Sequence, residues 1–84
     1  MVSVMREYYM QIIIWGTGKY YINRKEELTE YLQKEKIEVV AFCDNNTELW
    51  DKQFEGIRVV SPETINKIHF DAVLIMSTYV KEIE

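Results

Sequence analysis

Ile12-Ile13-Ile14-Trp15-Gly16-Thr17-Gly18-Lys19 is the stretch of sequence that decides the fold. Its run of isoleucines has no polar alternation, which is typical of a parallel strand covered on both faces. A Gly-x-Gly arrangement follows directly, as it does where a strand turns into a helix whose backbone N–H groups cradle a phosphate. Tyr21 stands where the full fingerprint has its third glycine. The stretch therefore predicts a nucleotide-binding type of architecture with an incomplete signature.

The length and composition of the chain indicate one small globular domain over residues 1–84. Hydrophobic residues make up 48% of the chain and its formal net charge is −4. A nucleic-acid partner is not expected, because there is no basic stripe to neutralise phosphates. No apolar run approaches the roughly 20 residues of a membrane span, and the first residues do not resemble a signal peptide.

The single cysteine and the C-terminal end of the chain support two further expectations. Cys43 is the single cysteine, so no intramolecular disulfide can form and a reducing, cytoplasmic location is expected. We interpret Cys43 as a small packed residue, and no catalytic residue or metal site is predicted. A helical pattern starts at Tyr79 and stops at Glu84, which indicates the N-terminal part of a longer protein.

Strand-like and helix-like segments alternate along the chain, which predicts an α/β fold with a mainly parallel sheet. Four strands in the order 3-2-1-4 would form half of a doubly wound, three-layer domain. The first helix begins either at the glycines or at Asn23, which forms a possible capping box with Glu26. Trp50 and Phe54 are expected to cover the sheet, with a short helical turn between them. The predicted strands are 9–15, 37–43, 57–60 and 71–77, and the predicted helices are 18–36 and 62–69.

The glycine turn is the first candidate site. Gly16 would permit the tight turn and Gly18 would let a phosphate approach the backbone, while the helix N-terminus supplies donors and partial positive charge. Thr17 and Lys19 would add a hydroxyl group and a cation. The alternative is that the two glycines only make a strand-to-helix turn.

Polar residues at the ends of two other strands are further candidates. Asp44 follows the second strand, where a dinucleotide fold places the carboxylate that binds a ribose hydroxyl. Its alternative role is to start an Asx turn with the two asparagines that follow it. Ser77 and Thr78 follow the fourth strand beside the glycine turn, where they would contact a ligand or cap the next helix.

The order of these motifs resembles the Rossmann-like N-terminal domains of sugar acyltransferases and related polysaccharide-biosynthesis proteins. The similar segments are Ile-Trp-Gly-Thr-Gly-Lys at 14–19, Phe-Cys-Asp-Asn at 42–45, Trp50, residues 54–63 and residues 71–77. The resemblance implies a domain that holds a nucleotide-sugar, with Gly16, Thr17 and Gly18 near the phosphates and Asp44 near the uridine or ribose.

The predicted fold and the resemblance together indicate which ligands and partners to expect. The candidate ligands are a UDP-sugar and NAD, and the candidate protein partners are a second copy of the chain and a downstream catalytic domain. This domain alone would bind without catalysing, while its parent would be a sugar-modifying transferase. The alternative is a degenerate Rossmann-like domain with a structural or oligomerisation role and no ligand.

Overall fold

The computed structural model describes residues 9–76. Within these residues the domain is a mixed α/β fold with one α-helix. In chain order the elements are β1 (Met10–Trp15), α1 (Lys19–Lys34), β2 (Ile37–Cys43), a first 3₁₀ helix (Thr47–Leu49), β3 (Gln53–Phe54), β4 (Ile57–Val60), a second 3₁₀ helix (Pro62–Lys67) and β5 (Ala72–Ile75).

The five strands form one mostly parallel sheet in the order β3-β4-β2-β1-β5. The parallel strands β4, β2, β1 and β5 have the predicted order of neighbours. The predicted total of four strands is wrong, because the two-residue strand β3 adds an antiparallel partner to β4. β1 therefore lies inside the sheet, and its carboxyl end lies between those of β2 and β5.

The two faces of the sheet bury separate apolar clusters. α1 covers the first face, where its Tyr21 and Leu32 pack with Ile12, Ile14 and Phe42. The second 3₁₀ helix covers the other face through Ile65, which packs with Ile13, Ala41, Cys43 and Val60. A strand buried on both faces has no polar alternation, which explains the uninterrupted isoleucines of β1.

Helix α1 starts at the glycine turn and not at Asn23. Gly18 is its N-cap, and Asn23 lies inside the helix, so the capping-box interpretation is wrong. The burial of Tyr21 gives the first turn an apolar contact that outweighs the weak helix preference of the residues around it. The helix ends at Lys34, and Lys36 follows with φ 57°, the left-handed conformation common after helix ends.

A β-hairpin connects β3 to β4 through Glu55 and Gly56. Both residues have positive φ, 56° and 78°, as a two-residue type I′ turn requires. The Glu55 carboxylate at the tip lies 2.8 Å from the Lys25 ammonium group of α1. Phe54 thus belongs to a strand, and the short helical turn predicted between Trp50 and Phe54 lies earlier, at Thr47–Leu49.

The second predicted helix is a 3₁₀ helix that ends at Lys67. It starts as predicted, because the Ser61 hydroxyl accepts a hydrogen bond from the Thr64 N–H and Pro62 follows the cap. No helix within residues 9–76 has the length and apolar character needed to cross a membrane.

Candidate functional site

The glycine turn lies where the parallel strands end. The Gly16 N–H donates a hydrogen bond to the Cys43 carbonyl at 2.8 Å, which joins the turn to the end of β2. On the other side, the Met76 N–H donates to the Trp15 carbonyl at 2.8 Å, so β5 ends beside the turn. Gly16 has φ 118°, a conformation that side chains disfavour. The turn therefore requires glycine at position 16.

Gly18 has neither a conformational nor a packing reason to be glycine. Its backbone is extended, with φ −88° and ψ −155°, and a Cβ added there would meet no heavy atom within 4 Å. As the N-cap of α1 it offers no side-chain oxygen, whereas serine, threonine or aspartate would accept a hydrogen bond from the helix. The absence of a side chain leaves the space above the helix N-terminus open.

The first turn of α1 has no negative charge of its own. It contains no acidic residue, and Lys19, its first residue, is exposed. The hydrogen bond from the Ile22 N–H to the Gly18 carbonyl, at 3.0 Å, begins the helical ladder. The N–H groups before Ile22 point out of the helix end and carry partial positive charge. This end of α1 is electrostatically suited to an anion.

Asp44 is hydrogen-bonded to the glycine turn. Its Oδ2 accepts hydrogen bonds from the Thr17 hydroxyl at 2.8 Å and from the Thr17 N–H at 3.2 Å. Its Oδ1 accepts from the Asn46 N–H at 2.9 Å, which is the Asx turn foreseen as an alternative. A carboxylate has about four acceptor positions, so one remains for a further donor.

The loop after β2 holds the Asp44 backbone in place. The Trp50 indole Nε1–H donates to the Asp44 carbonyl at 2.7 Å, and the Asp44 N–H donates to the Val60 carbonyl at 3.3 Å. Asn46 caps the first 3₁₀ helix by accepting from the Glu48 N–H at 3.0 Å. Trp50 also packs against the first apolar cluster, as predicted for a residue that covers the sheet.

The structure thus brings together Gly16, Thr17, Gly18, Lys19 and Asp44 at the carboxyl ends of the parallel strands. Ser77 and Thr78 lie outside the described residues. Sequence reasoning missed the direct contact between Thr17 and Asp44. A threonine in the turn and an aspartate at the end of the neighbouring strand are the pattern that could have indicated it. It also missed the hydrogen bond from Trp50, which nothing in the local pattern indicates.

Tyr21 fills the space between α1 and the sheet. Its ring makes edge-on contacts with Phe42 of β2 at 5.3 Å and with Phe54 of β3 at 5.6 Å between centroids. Burial raises the pKa of the Tyr21 hydroxyl; the Glu55 carboxylate adds to this increase and the Lys25 ammonium group opposes it. A large aromatic residue therefore packs where a glycine would allow close contact between helix and strand.

Cys43 is fully buried at the end of β2, with 0% exposure. Burial, together with the neighbouring Asp44 carboxylate, raises the pKa of its thiol to about 11. We expect a thiol reagent at about pH 8 to label the native protein at least about a hundredfold more slowly than the denatured protein. Labelling can be followed by absorbance.

Thr47→Cys in a Cys43→Ala background provides the control for this labelling experiment, because Thr47 is exposed. The control thiol should react at similar rates in the native and denatured states. Equal rates for Cys43 itself would contradict its role as a packed residue.

Two other features within residues 9–76 bear on where a ligand could bind. No group of histidine, cysteine, aspartate and glutamate side chains among them is arranged to hold a metal ion. An open hollow of about 410 Å³ lies beside the hairpin tip. Its lining residues are Lys25, Glu26, Thr29, Glu30 and Glu55. Three carboxylates against one ammonium group make this hollow unsuitable for an anionic ligand.

A family model described as C2185-like, N-terminal, matches residues 8–84. The match covers all five strands, α1 and the glycine turn. No curated protein and no solved structure matches the chain.

Proposed function

The chain belongs to the C2185-like N-terminal family, and for this member we propose a role as a nucleotide-binding module that holds phosphates at the Gly16–Gly18 turn. The ligand class is a nucleotide-sugar or a dinucleotide, with a UDP-sugar and NAD as the candidates. We place the module in a cytoplasmic glycan-biosynthesis protein in which another domain carries the catalysis. Its fold is then half of a Rossmann-like, three-layer domain, to which β3 adds an edge strand.

The uncapped N-terminus of α1 is the observation that supports this proposal most. The helix has no side-chain cap, no acidic residue in its first turn and an exposed Lys19. Gly18 leaves open the space from which a phosphate would approach, and the fold gives no other reason for glycine there. Phosphate oxygens would accept hydrogen bonds from the free N–H groups and would favour the positive end of the helix.

Asp44 would be the second contact of the ligand. After its hydrogen bonds to Thr17 and Asn46, its carboxylate retains one acceptor position for a ribose hydroxyl. The carboxylate also repels a phosphate that comes too close. The phosphates therefore belong on the Lys19 side of the turn and the ribose on the Asp44 side.

A structural role without a ligand is the second candidate function. It is favoured by the contact between Thr17 and Asp44, because this contact satisfies the turn's Thr17 N–H and hydroxyl groups internally. A glycine turn stabilised in this way keeps its shape with no phosphate bound.

Ligand-induced stabilisation distinguishes the two functions. We expect at least one compound from a set of UDP-sugars, CMP-sugars, NAD and NADP at millimolar concentration to raise the melting temperature by several degrees. A ligand at ten times its Kd stabilises the folded state by about 1.4 kcal/mol, and about 1 kcal/mol shifts the melting temperature of a domain this small by roughly 4–8 °C. Differential scanning fluorimetry measures the shift.

Gly18→Asp is the diagnostic variant, because its carboxylate would cap α1 and occupy the place of the phosphate. It should melt slightly higher than the wild type without ligand and show no ligand-induced shift. Gly56→Asp is the matched control: it makes the same substitution at the hairpin tip, where aspartate tolerates positive φ. The control should keep the shift. Absence of a shift for every compound with the wild type would favour the structural role.

A further inference from the structure

The two oxygens of the Asp44 carboxylate are unequally occupied by donors of the protein itself. Oδ2 accepts two hydrogen bonds, from the Thr17 hydroxyl at 2.8 Å and from the Thr17 N–H at 3.2 Å. Oδ1 accepts one, from the Asn46 N–H at 2.9 Å. Each carboxylate oxygen offers about two acceptor positions, so Oδ2 is fully used and the position that remains belongs to Oδ1.

The carboxylate is held in this orientation from both sides. The Asp44 N–H donates to the Val60 carbonyl at 3.3 Å, and the Asp44 carbonyl accepts from the Trp50 indole N–H at 2.7 Å, so the backbone is fixed. Rotation of the side chain would leave the Thr17 N–H without its acceptor in a part-buried turn. An unpaired backbone donor is costly in such a place. Oδ2 therefore stays turned towards the glycine turn.

A nucleoside ribose presents two neighbouring hydroxyl groups, and a carboxylate with both oxygens free can accept a hydrogen bond from each. From the acceptor count we infer that Thr17 limits Asp44 to a single ribose hydroxyl, an inference that rests on the proposed function. A second hydroxyl could reach Oδ2 only by displacing a donor of Thr17. One hydrogen bond would then replace another of the same kind, without a net gain in affinity.

This limit separates recognition of the ribose from recognition of the phosphates. Asp44 follows β2, which lies between β4 and β1, whereas β5 lies on the far side of β1. The phosphates would bind the N–H groups that follow Thr17 at the start of α1, and these groups do not contact Asp44. The ligand class is thus a nucleotide of which one deoxyribose form binds as well as the ribose form.

Isothermal titration calorimetry of the full chain tests this inference. The probes are UDP-glucose and NAD, each compared with the 2′-deoxy and 3′-deoxy forms of its uridine or adenosine ribose. We expect one deoxy form to bind at least about tenfold more weakly than its parent, because it loses a hydrogen bond to a charged acceptor. The other deoxy form should bind within about twofold of the parent.

Thr17→Val is the diagnostic variant, because it removes the hydroxyl donor, keeps the backbone N–H and frees one acceptor position on Oδ2. In this variant the second deoxy form should also bind about tenfold more weakly than the parent. A purely structural role of Thr17 would change the affinities for all three forms by the same factor. Thr17→Ser retains the hydroxyl and should restore the single-hydroxyl pattern. Melting curves will verify that both variants fold.

The deoxy forms also show how the inference could fail. If both bind the wild type much more weakly than the parent, Asp44 accepts from both hydroxyls and the inference is overturned. If both bind as well as the parent, Asp44 accepts from neither, which overturns it too. The parent still binds in these two cases, so the proposed function survives. Absence of binding by both UDP-glucose and NAD would overturn the proposed function and this inference with it.

Discussion

Phe42→Ala should lower the free energy of unfolding by about 3–5 kcal/mol, the range for loss of a buried aromatic side chain. Phe42 is 1% exposed and makes edge-on contacts with Tyr21 at 5.3 Å and Phe54 at 4.9 Å. Its removal would leave a cavity between α1, β2 and β3 at the centre of the first apolar cluster. Urea denaturation followed by tryptophan fluorescence measures the change.

The loss is large for a domain of this kind, because total stabilities are about 5–15 kcal/mol. Phe42→Leu retains most of the buried volume and should cost much less. Tyr31→Ala is the surface control: Tyr31 is 56% exposed, so its change should stay within about 0.5 kcal/mol. A cost below about 1 kcal/mol for Phe42→Ala would show that the three aromatic rings do not form a packed unit.

Asp44→Ala has the second largest expected effect, a loss of about 2–3 kcal/mol in the free energy of unfolding. The substitution removes three hydrogen bonds to a charged acceptor, two from Thr17 and one from Asn46. The Thr17 N–H would then have to find water in a partly buried turn. Asp44→Asn should cost less, because its amide oxygen can still accept from Thr17.

A double-mutant cycle with Thr17→Val measures how much of this loss comes from the hydrogen bond between the side chains of Thr17 and Asp44. Thr17→Val removes the hydroxyl donor and leaves the backbone N–H, so it should cost about 1 kcal/mol alone. The two substitutions should be less than additive, since they remove one shared hydrogen bond of 2.8 Å. Additive costs would mean that the hydrogen bond between the two side chains does not stabilise the fold.

Strand positions were the most predictable part of this fold, because runs of β-branched residues mark them in the sequence. β2 has the predicted limits, Ile37–Cys43, and β1 differs from its prediction by one residue. β3 was not predictable from pattern. It has two residues, and its turn uses Glu55-Gly56, which is a weaker hairpin signal than Asn-Gly. Its place in the sheet depends on the packing of Phe54 against Tyr21 and Phe42.

The candidate site was predictable in its position and less so in its contacts. A glycine turn after a buried strand and an aspartate after the neighbouring strand must meet at the same sheet edge. The sequence does not indicate that Asp44 bonds Thr17, because the two residues are 27 positions apart and the contact depends on side-chain rotamers. Nucleotide binding at this site stays a prediction, which Gly18→Asp and its control Gly56→Asp test.

The central place of β1 in the sheet has a consequence for synthesis on the ribosome. β1 is translated before both of its neighbours: Gln11 meets Glu38 of β2 after 27 residues and Asp71 beside β5 after 60 residues. At a translation rate of about 5–20 residues per second, the side of β1 that pairs with β5 stays unpaired for roughly 3–12 s. During that interval the unpaired side of β1 is open to pairing with other strands and to binding by chaperones. Slow codons between residues 43 and 72 would lengthen the exposure, so the speed of translation there bears directly on the yield of folded protein.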